Sequence, residues 1–297
     1  MKKAILWFVA LLLLTMSYNS EALAQAAFLP EFMGNAAGVK SPGLCLKFFP
    51  SYYYQSGIAA HDVEAAFEPQ YWIPGFTGDL EKDQIQFVVH LPIGYRRQRD
   101  AATGRVVSVT GIGNLSTTIE YYWHFIDEED VEWWFDNGIT GGYPTATENN
   151  GVFIGNKHYT VAIGSYAYSV GWYQENFFRY KRFLLSVQPL TFTYGFTDDR
   201  TNIRSGLSFT VMNGAAGFQV ADWAHVGIDF GLLLGNVVGS RDAAGNSLPK
   251  TLRFFTGPAA LFGFDDNNSI QVSVLIDAVT RNVSRGQGIA IAIWHHF

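Results

Sequence analysis

Apolar residues return at every second position over long stretches of this chain, and that spacing constrains its fold more than any other feature. From Gln84 to Leu91, one phase holds Ile85, Phe87, Val89 and Leu91, and the other holds Gln84, Gln86 and His90. Leu115 to Phe125 sets Leu115, Ile119, Tyr121 and Trp123 against Ser116, Thr118, Glu120 and His124. His225 to Gly235 sets Val226, Ile228, Phe230, Leu232 and Leu234 against His225, Asp229 and glycines. Ser269 to Val279 opposes Ile270, Val272, Val274 and Ile276 to Gln271, Ser273 and Asp277. A period of two belongs to a β-strand, because successive side chains point to opposite faces. Strands of soluble folds run to about five or six residues. Longer strands with one apolar and one weakly polar face fit a wall with lipid outside and a lumen inside.

The end of the chain follows the same rule. Counting back from Phe297 gives His295, Ile293, Ile291 and Ile289 on one phase, with Trp294, Ala292, Ala290 and Gly288 on the other. Bulky apolar residues out and small residues in fit a stave of a membrane barrel better than a soluble sandwich strand. A strand that ends on a terminal Phe also resembles the C-terminal signal of bacterial outer-membrane barrels. On that resemblance Ile291, Ile293 and Phe297 form the signal read by the barrel assembly machinery, and this strand closes the barrel.

Composition agrees. Hydrophobic residues make up 48%, aromatics 16% and charged residues 15%, against about 25% charged in an average globular domain. Beyond the N-terminal segment no apolar run reaches the length of a membrane-spanning helix, about 18 residues or more. Dispersing apolar residues at alternate positions reconciles these facts. Lys2 and Lys3, the apolar Ala4 to Met16, and Ala22-Leu23-Ala24 form a secretory signal peptide over residues 1–24. Without it the chain has 18 basic and 25 acidic residues, so nucleic acid is not an expected partner. The single Cys45 has no intrachain disulfide partner and reads as a residue of the first strand.

After an irregular lead-in at 25–42, twelve strands are expected, at about 43–55, 63–75, 83–96, 109–125, 130–144, 157–174, 179–196, 203–218, 222–239, 250–264, 268–281 and 286–297. The fold predicted is a single all-β domain over 25–297, a transmembrane antiparallel up-and-down β-barrel of about 12 strands. Barrels alternate long outer loops with short periplasmic turns. Arg97–Ser108, Thr145–Asn156 and Ser240–Pro249 are long and polar, whereas Ile126–Glu129 and Asp265–Asn267 are short. Their parity places the N-terminus in the periplasm. Phe76–Lys82 is long for a periplasmic turn. Aromatics gather near strand ends, at Tyr52 to Tyr54, Tyr121 to Trp123, Trp133 and Trp134, Trp172 and Tyr173, and Phe177 and Phe178. Interface girdles use such residues.

Catalytic and metal signatures are missing. His295 and His296 are adjacent and face opposite sides of a strand, and the other five histidines fall on separate elements. No metal and no cofactor is expected. An outer-membrane lipid-modifying enzyme would place His two residues before a catalytic Ser, and no His-x-Ser or Gly-x-Ser-x-Gly occurs.

What remains is the inward phase: Gln84, Gln86, His90, Glu120, His124, Arg204, Ser208, Asp229, Gln271, Ser273 and Asp277 are the candidate lumen-lining residues. Such a ring either guides small solutes or pairs with itself and fills the lumen. Arg204 is expected to pair with Asp229 across a hairpin, and Glu120 to line an open path.

Several local patterns resemble the MetA-pathway of phenol degradation family of outer-membrane proteins. They are the Tyr-rich Phe48 to Gly57, Gly111-Ile112-Gly113-Asn114 before a long strand, Gly141-Gly142-Tyr143-Pro144, and Asp222-Trp223 before the Gly-rich strand. Asn114 stands where the family usually has Asp. The resemblance implies an exported barrel in the bacterial outer membrane that assists entry of small hydrophobic or aromatic solutes, with no catalytic residues to carry over. Its partners would be outer-membrane lipid, the assembly machinery and the solute. The alternative is a structural or interaction barrel whose outer loops, Arg97–Ser108 and Ser240–Pro249, bind a partner.

Overall fold

A computed structural model describes residues 43–56, 59–99, 105–146, 150–154, 157–161, 166–199, 202–265 and 267–297. The signal peptide at 1–24 and the lead-in at 25–42 lie outside the described residues. The strands in chain order are β1 (Gly43–Gln55), β2 (Ala60–Pro74), β3 (Asp83–Arg99), β4 (Val106–Ile112) and β5 (Ser116–Glu128). They continue as β6 (Val131–Gly142), β7 (Asn150–Ile154), β8 (Lys157–Val161), β9 (Ser169–Tyr180) and β10 (Phe183–Thr197). The last five are β11 (Arg204–Ala221), β12 (Ala224–Val238), β13 (Thr251–Gly263), β14 (Asn268–Arg281) and β15 (Gly286–His296).

All but β4, β7 and β8 form a closed wall of twelve antiparallel strands, each paired with its neighbours around the barrel. β15 returns to β1, with Cys45 opposite His296 and Tyr52 opposite Ile289. Closure leaves no sheet edge in the ring, so the hydrogen-bonded ladders run right around it, interrupted at bulges such as that between Val187 and Leu190. On β15 the burial alternates: Gly288, Ala290, Ala292 and Trp294 are buried, while Ile289 and Ile293 are exposed. Exposed Phe48, Phe67, Phe87, Ile119, Ile139, Val226, Ile228 and Ile276 continue an apolar outer surface. A soluble protein does not leave such a band in water, and a transmembrane barrel requires it.

One end of the barrel carries short turns. Glu128 pairs with Val131, Tyr180 with Phe183 and Ala221 with Ala224, so three hairpins there have two-residue turns. Lys181 takes φ 52 in one of them, the left-handed conformation that such tight turns demand. The longer connection at 75–82 folds onto Asp83, whose carboxylate accepts the Thr77 hydroxyl, the Thr77 N–H at 3.2 Å and the Tyr121 hydroxyl at 2.8 Å. At the other end, the long connection 239–250 is ordered around Asp242, which accepts N–H groups of Ala244 and Asn246 at 2.9 and 2.8 Å. Hydrogen bonds from the Asn246 side chain and backbone hold the Asp242 carboxyl below its ordinary pKa.

Two expected strands divide, and the loop expected at Thr145–Asn156 contains β7. The stretch expected as one strand at 109–125 divides at 113–115: β4 pairs with the far end of β3 as a hairpin outside the ring, and β5 enters the wall. Arg97–Arg99 and Val106–Ser108 of the expected polar loop are therefore strand. Likewise 157–174 divides into β8, paired only with β7, and β9, which runs on to Tyr180. The expected bounds leave a junction at 175–178. Instead Glu175 is buried inside the barrel, and Asn176 accepts the Trp133 indole N–H at 3.0 Å.

Candidate functional site

The inner face of the barrel gathers the chemistry. Toward the short-turn end, inward residues of several strands meet as an aromatic cluster. Trp72 on β2 lies 4.7 Å from Tyr122 on β5, ring centre to ring centre, and Tyr122 stacks on Phe177 of β9 at 5.7 Å and 16°. His124 stacks on Trp134 of β6 at 4.0 Å. Cys45, Phe49, Leu184, Leu261 and Trp294 are among the other buried members of the cluster. Offset and tilted ring pairs of this kind add to burial itself.

Carboxylates and amides surround it. The Tyr122 hydroxyl lies against the Glu120 carboxylate and 2.9 Å from Gln86 Oε1. Tyr173 of β9 also hydrogen-bonds to Glu120. It does so by lying across Gly138 of β6, where an added Cβ would stand 2.6 Å from the Tyr173 ring. Glu68 accepts Gln70 Nε2 at 2.6 Å, sits 3.1 Å from His90 Nδ1 and pairs with Lys47 Nζ at 3.7 Å. Gln188 donates to Glu175, and Asn213 reaches Gln188 at 3.4 Å. Gln271 donates to Ser273 at 3.0 Å and lies 3.5 Å from Asp229.

Nearer the long-loop end, Asp277 of β14 is the acceptor for the Tyr53 hydroxyl at 2.5 Å and the Gly286 N–H at 2.8 Å, with Arg253 Nε at 3.4 Å. Arg96 Nε meets Asp62 at 2.6 Å. A charge withdrawn from water needs such partners.

The sequence-derived set divides by burial. Gln84, Gln86, Glu120, Asp229, Gln271, Ser273 and Asp277 are all buried, and His90, His124, Arg204 and Ser208 are half-buried. Two relations differ from expectation. Arg204 sits at the far end of β11 beside Thr197, whose hydroxyl is 3.3 Å from its Nε. Asp229 faces Ala215 and Gly257. Eleven residues of strand separate Arg204 from Ala215, roughly 36 Å at the usual rise, so Arg204 and Asp229 do not pair. Glu120 does not line an open path: it is 6% exposed and held between two tyrosines.

Residues missed by the sequence reading are as telling. Lys47, Glu68, Glu175 and Arg253 belong to the inner face, as do Trp72, Tyr122, Trp134 and Phe177. Strict alternation would have found the aromatics. Tyr121 and Trp123 point outward, so Tyr122 between them must point in, and the same holds for Trp134 beside Trp133.

No family model matches the chain, and no curated protein matches it. Among solved structures, an outer membrane channel from Pseudomonas putida F1 superposes with a TM-score of 0.71 at 11% identity, covering 89% of this chain and 98% of the other. The transport unit of the autotransporter AIDA-I from Escherichia coli gives 0.49 at 10% identity, covering 87% and 91%. The chain thus has the fold of outer-membrane β-barrels.

Proposed function

We propose that the protein is an outer-membrane conduit for passive entry of small hydrophobic or aromatic solutes. The observation that carries this reading is the aromatic cluster of Trp72, Tyr122, Trp134 and Phe177 set among Glu68, Gln86 and Glu120 inside a closed barrel. An aromatic solute would exchange ring contacts with these side chains while the amides and carboxylates receive its polar end. The apolar outer band supports a bilayer location. The segregation of short turns to one end supports a periplasmic N-terminus. A signal peptide at 1–24 would deliver the chain for export, and Ile291, Ile293 and the exposed Phe297 would present it to the assembly machinery. The resemblance to the phenol-degradation family favours the same solute class, and the likeness in fold to a protein described as an outer membrane channel is consistent with a conduit.

Because the inner side chains pack on one another, passage requires them to swing aside, and flux should be slow and selective. The same packing favours a second reading: a silent barrel that works through its outer loops at 97–108 and 240–249. Flux into proteoliposomes separates the two. Wild-type protein is expected to admit small phenols and aromatic acids faster than sugars of equal mass. Equal rates for both classes would contradict the proposed selectivity.

A further inference from the structure

The outer surface changes character at one height. Down the outward phase of β3 run Arg99, Arg97, Tyr95, Ile93, Leu91, Val89, Phe87 and Ile85. From Ile85 to Tyr95 the strand covers roughly 33 Å, which at a tilt of about 40° projects to a band of about 25 Å. That is the height of the apolar belt of such barrels. Arg97 and Arg99 therefore stand just beyond the hydrocarbon boundary, at the end with the long loops, with Tyr95 in the interfacial girdle beneath them.

Strand pairing makes Arg97 part of a row. Ser108 of β4 pairs with Arg97, Arg97 with His61 of β2, His61 with Tyr54 of β1, and Tyr54 with Gln287 of β15. With strands about 4.8 Å apart, the row extends on the order of 20 Å around the barrel. His61, at its middle, is held in place. His61 Nδ1 is 2.9 Å from the Tyr52 hydroxyl, and its ring lies 5.0 Å from that of Tyr54. On the next strand over, Arg281 of β14 is exposed on the same outer face, paired with outward Leu252. Arg97, Arg99 and Arg281 are exposed and, among the described residues, engage in no ion pair. By contrast, the outward positions at this end of β9 to β12 include Val170, Phe196 and Val238.

We propose that this strip across β14, β15 and β1 to β4 binds the phosphate groups of the outer-leaflet glycolipid, bisphosphorylated lipid A. An arginine fork matches a phosphate's oxygens in a bidentate pair. Amide, hydroxyl and imidazole groups between the arginines supply further donors, and the tyrosines beneath suit the acyl-chain boundary. The outward strand positions opposite are apolar, and the cations near them, Arg241 and Lys250, belong to the 239–250 connection, so the lipid is bound preferentially on the arginine side. The inference rests on the transmembrane placement proposed above.

The test uses the full mature chain in detergent, titrated with bisphosphorylated lipid A or with the dephosphorylated glycolipid, and read by native mass spectrometry. Wild type should prefer the phosphorylated form by at least tenfold. Arg97→Gln with Arg99→Gln should lose that preference, and the Arg97→Lys, Arg99→Lys pair should keep part of it. Equal affinity for both lipids, or an unchanged preference in the double Gln variant, overturns the proposal. Insertion into phospholipid vesicles is measured in parallel. Insertion without phosphate preference overturns the phosphate site alone, whereas failure of wild type to insert overturns the membrane placement and the site with it.

Discussion

Asp277→Ala is expected to destabilise the folded barrel by about 3–5 kcal/mol, the usual cost of removing one partner of a buried charge pair. Asp277 is 1% exposed, and its side chain ties three strands at the seam where the barrel closes. Tyr53 belongs to β1, yet its hydroxyl donates to Asp277 on β14. To get there the ring crosses β15, lying over Gly286 and Gly288, where an added Cβ would stand 2.7 Å from ring carbons. The small inward residues of the closing strand thus make room for the side chain that locks it. Without Asp277, Arg253 keeps its charge in a pocket where its side chain is 13% exposed, and Tyr53 loses its acceptor. Asp277→Asn preserves the shape and should cost less. Urea unfolding in lipid vesicles, followed by tryptophan fluorescence, would measure both; a loss under about 1 kcal/mol for Asp277→Ala would show that the seam does not depend on it.

Trp72→Ala combined with Tyr122→Ala should raise sugar entry into proteoliposomes at least tenfold over wild type. The two rings touch over β3 on the inner face, and Tyr122 also stacks on Phe177. Removing both side chains opens the interior where the aromatic cluster fills it. Truncating a packed aromatic costs about 3–5 kcal/mol, so the folded fraction must be checked by heat-modifiability on gels. Trp72→Phe with Tyr122 intact serves as a folded control that keeps the obstruction. Sugar flux unchanged in the folded double variant would mean that the constriction lies elsewhere.

The wall was legible because lipid imposes a strict rule on it. The strand expected at 43–55 has those bounds, and the expected 268–281 has them too. Phase on β15 could be read from isoleucines and alanines alone. The interior obeys no such rule, since polar, aromatic and small residues all occur there. That is why one expected strand stopped at 174, short of the buried Glu175, and why Tyr122 was grouped with its outward neighbours. Register was the other weakness. The hairpin turn at Asp222 and Trp223 places Asp229 close to the turn and Arg204 near the far end of its strand. Counting outward from that turn would have ruled out their pairing. The finer register was not accessible: the ladder shifts between Val211 and Gly214, where Met212 takes φ 52. The cluster of Lys47, Glu68 and His90 joins three strands, and alternation reports which face a residue occupies, not which partner it meets.

The most direct test of the conduit is electrical. Purified wild-type protein is inserted into a planar lipid bilayer and the current recorded under applied voltage. A lumen obstructed by movable side chains predicts small, brief current steps, and small aromatic solutes added to one side should interrupt them. A membrane containing inserted barrels that shows no steps at any voltage would contradict passage through the interior.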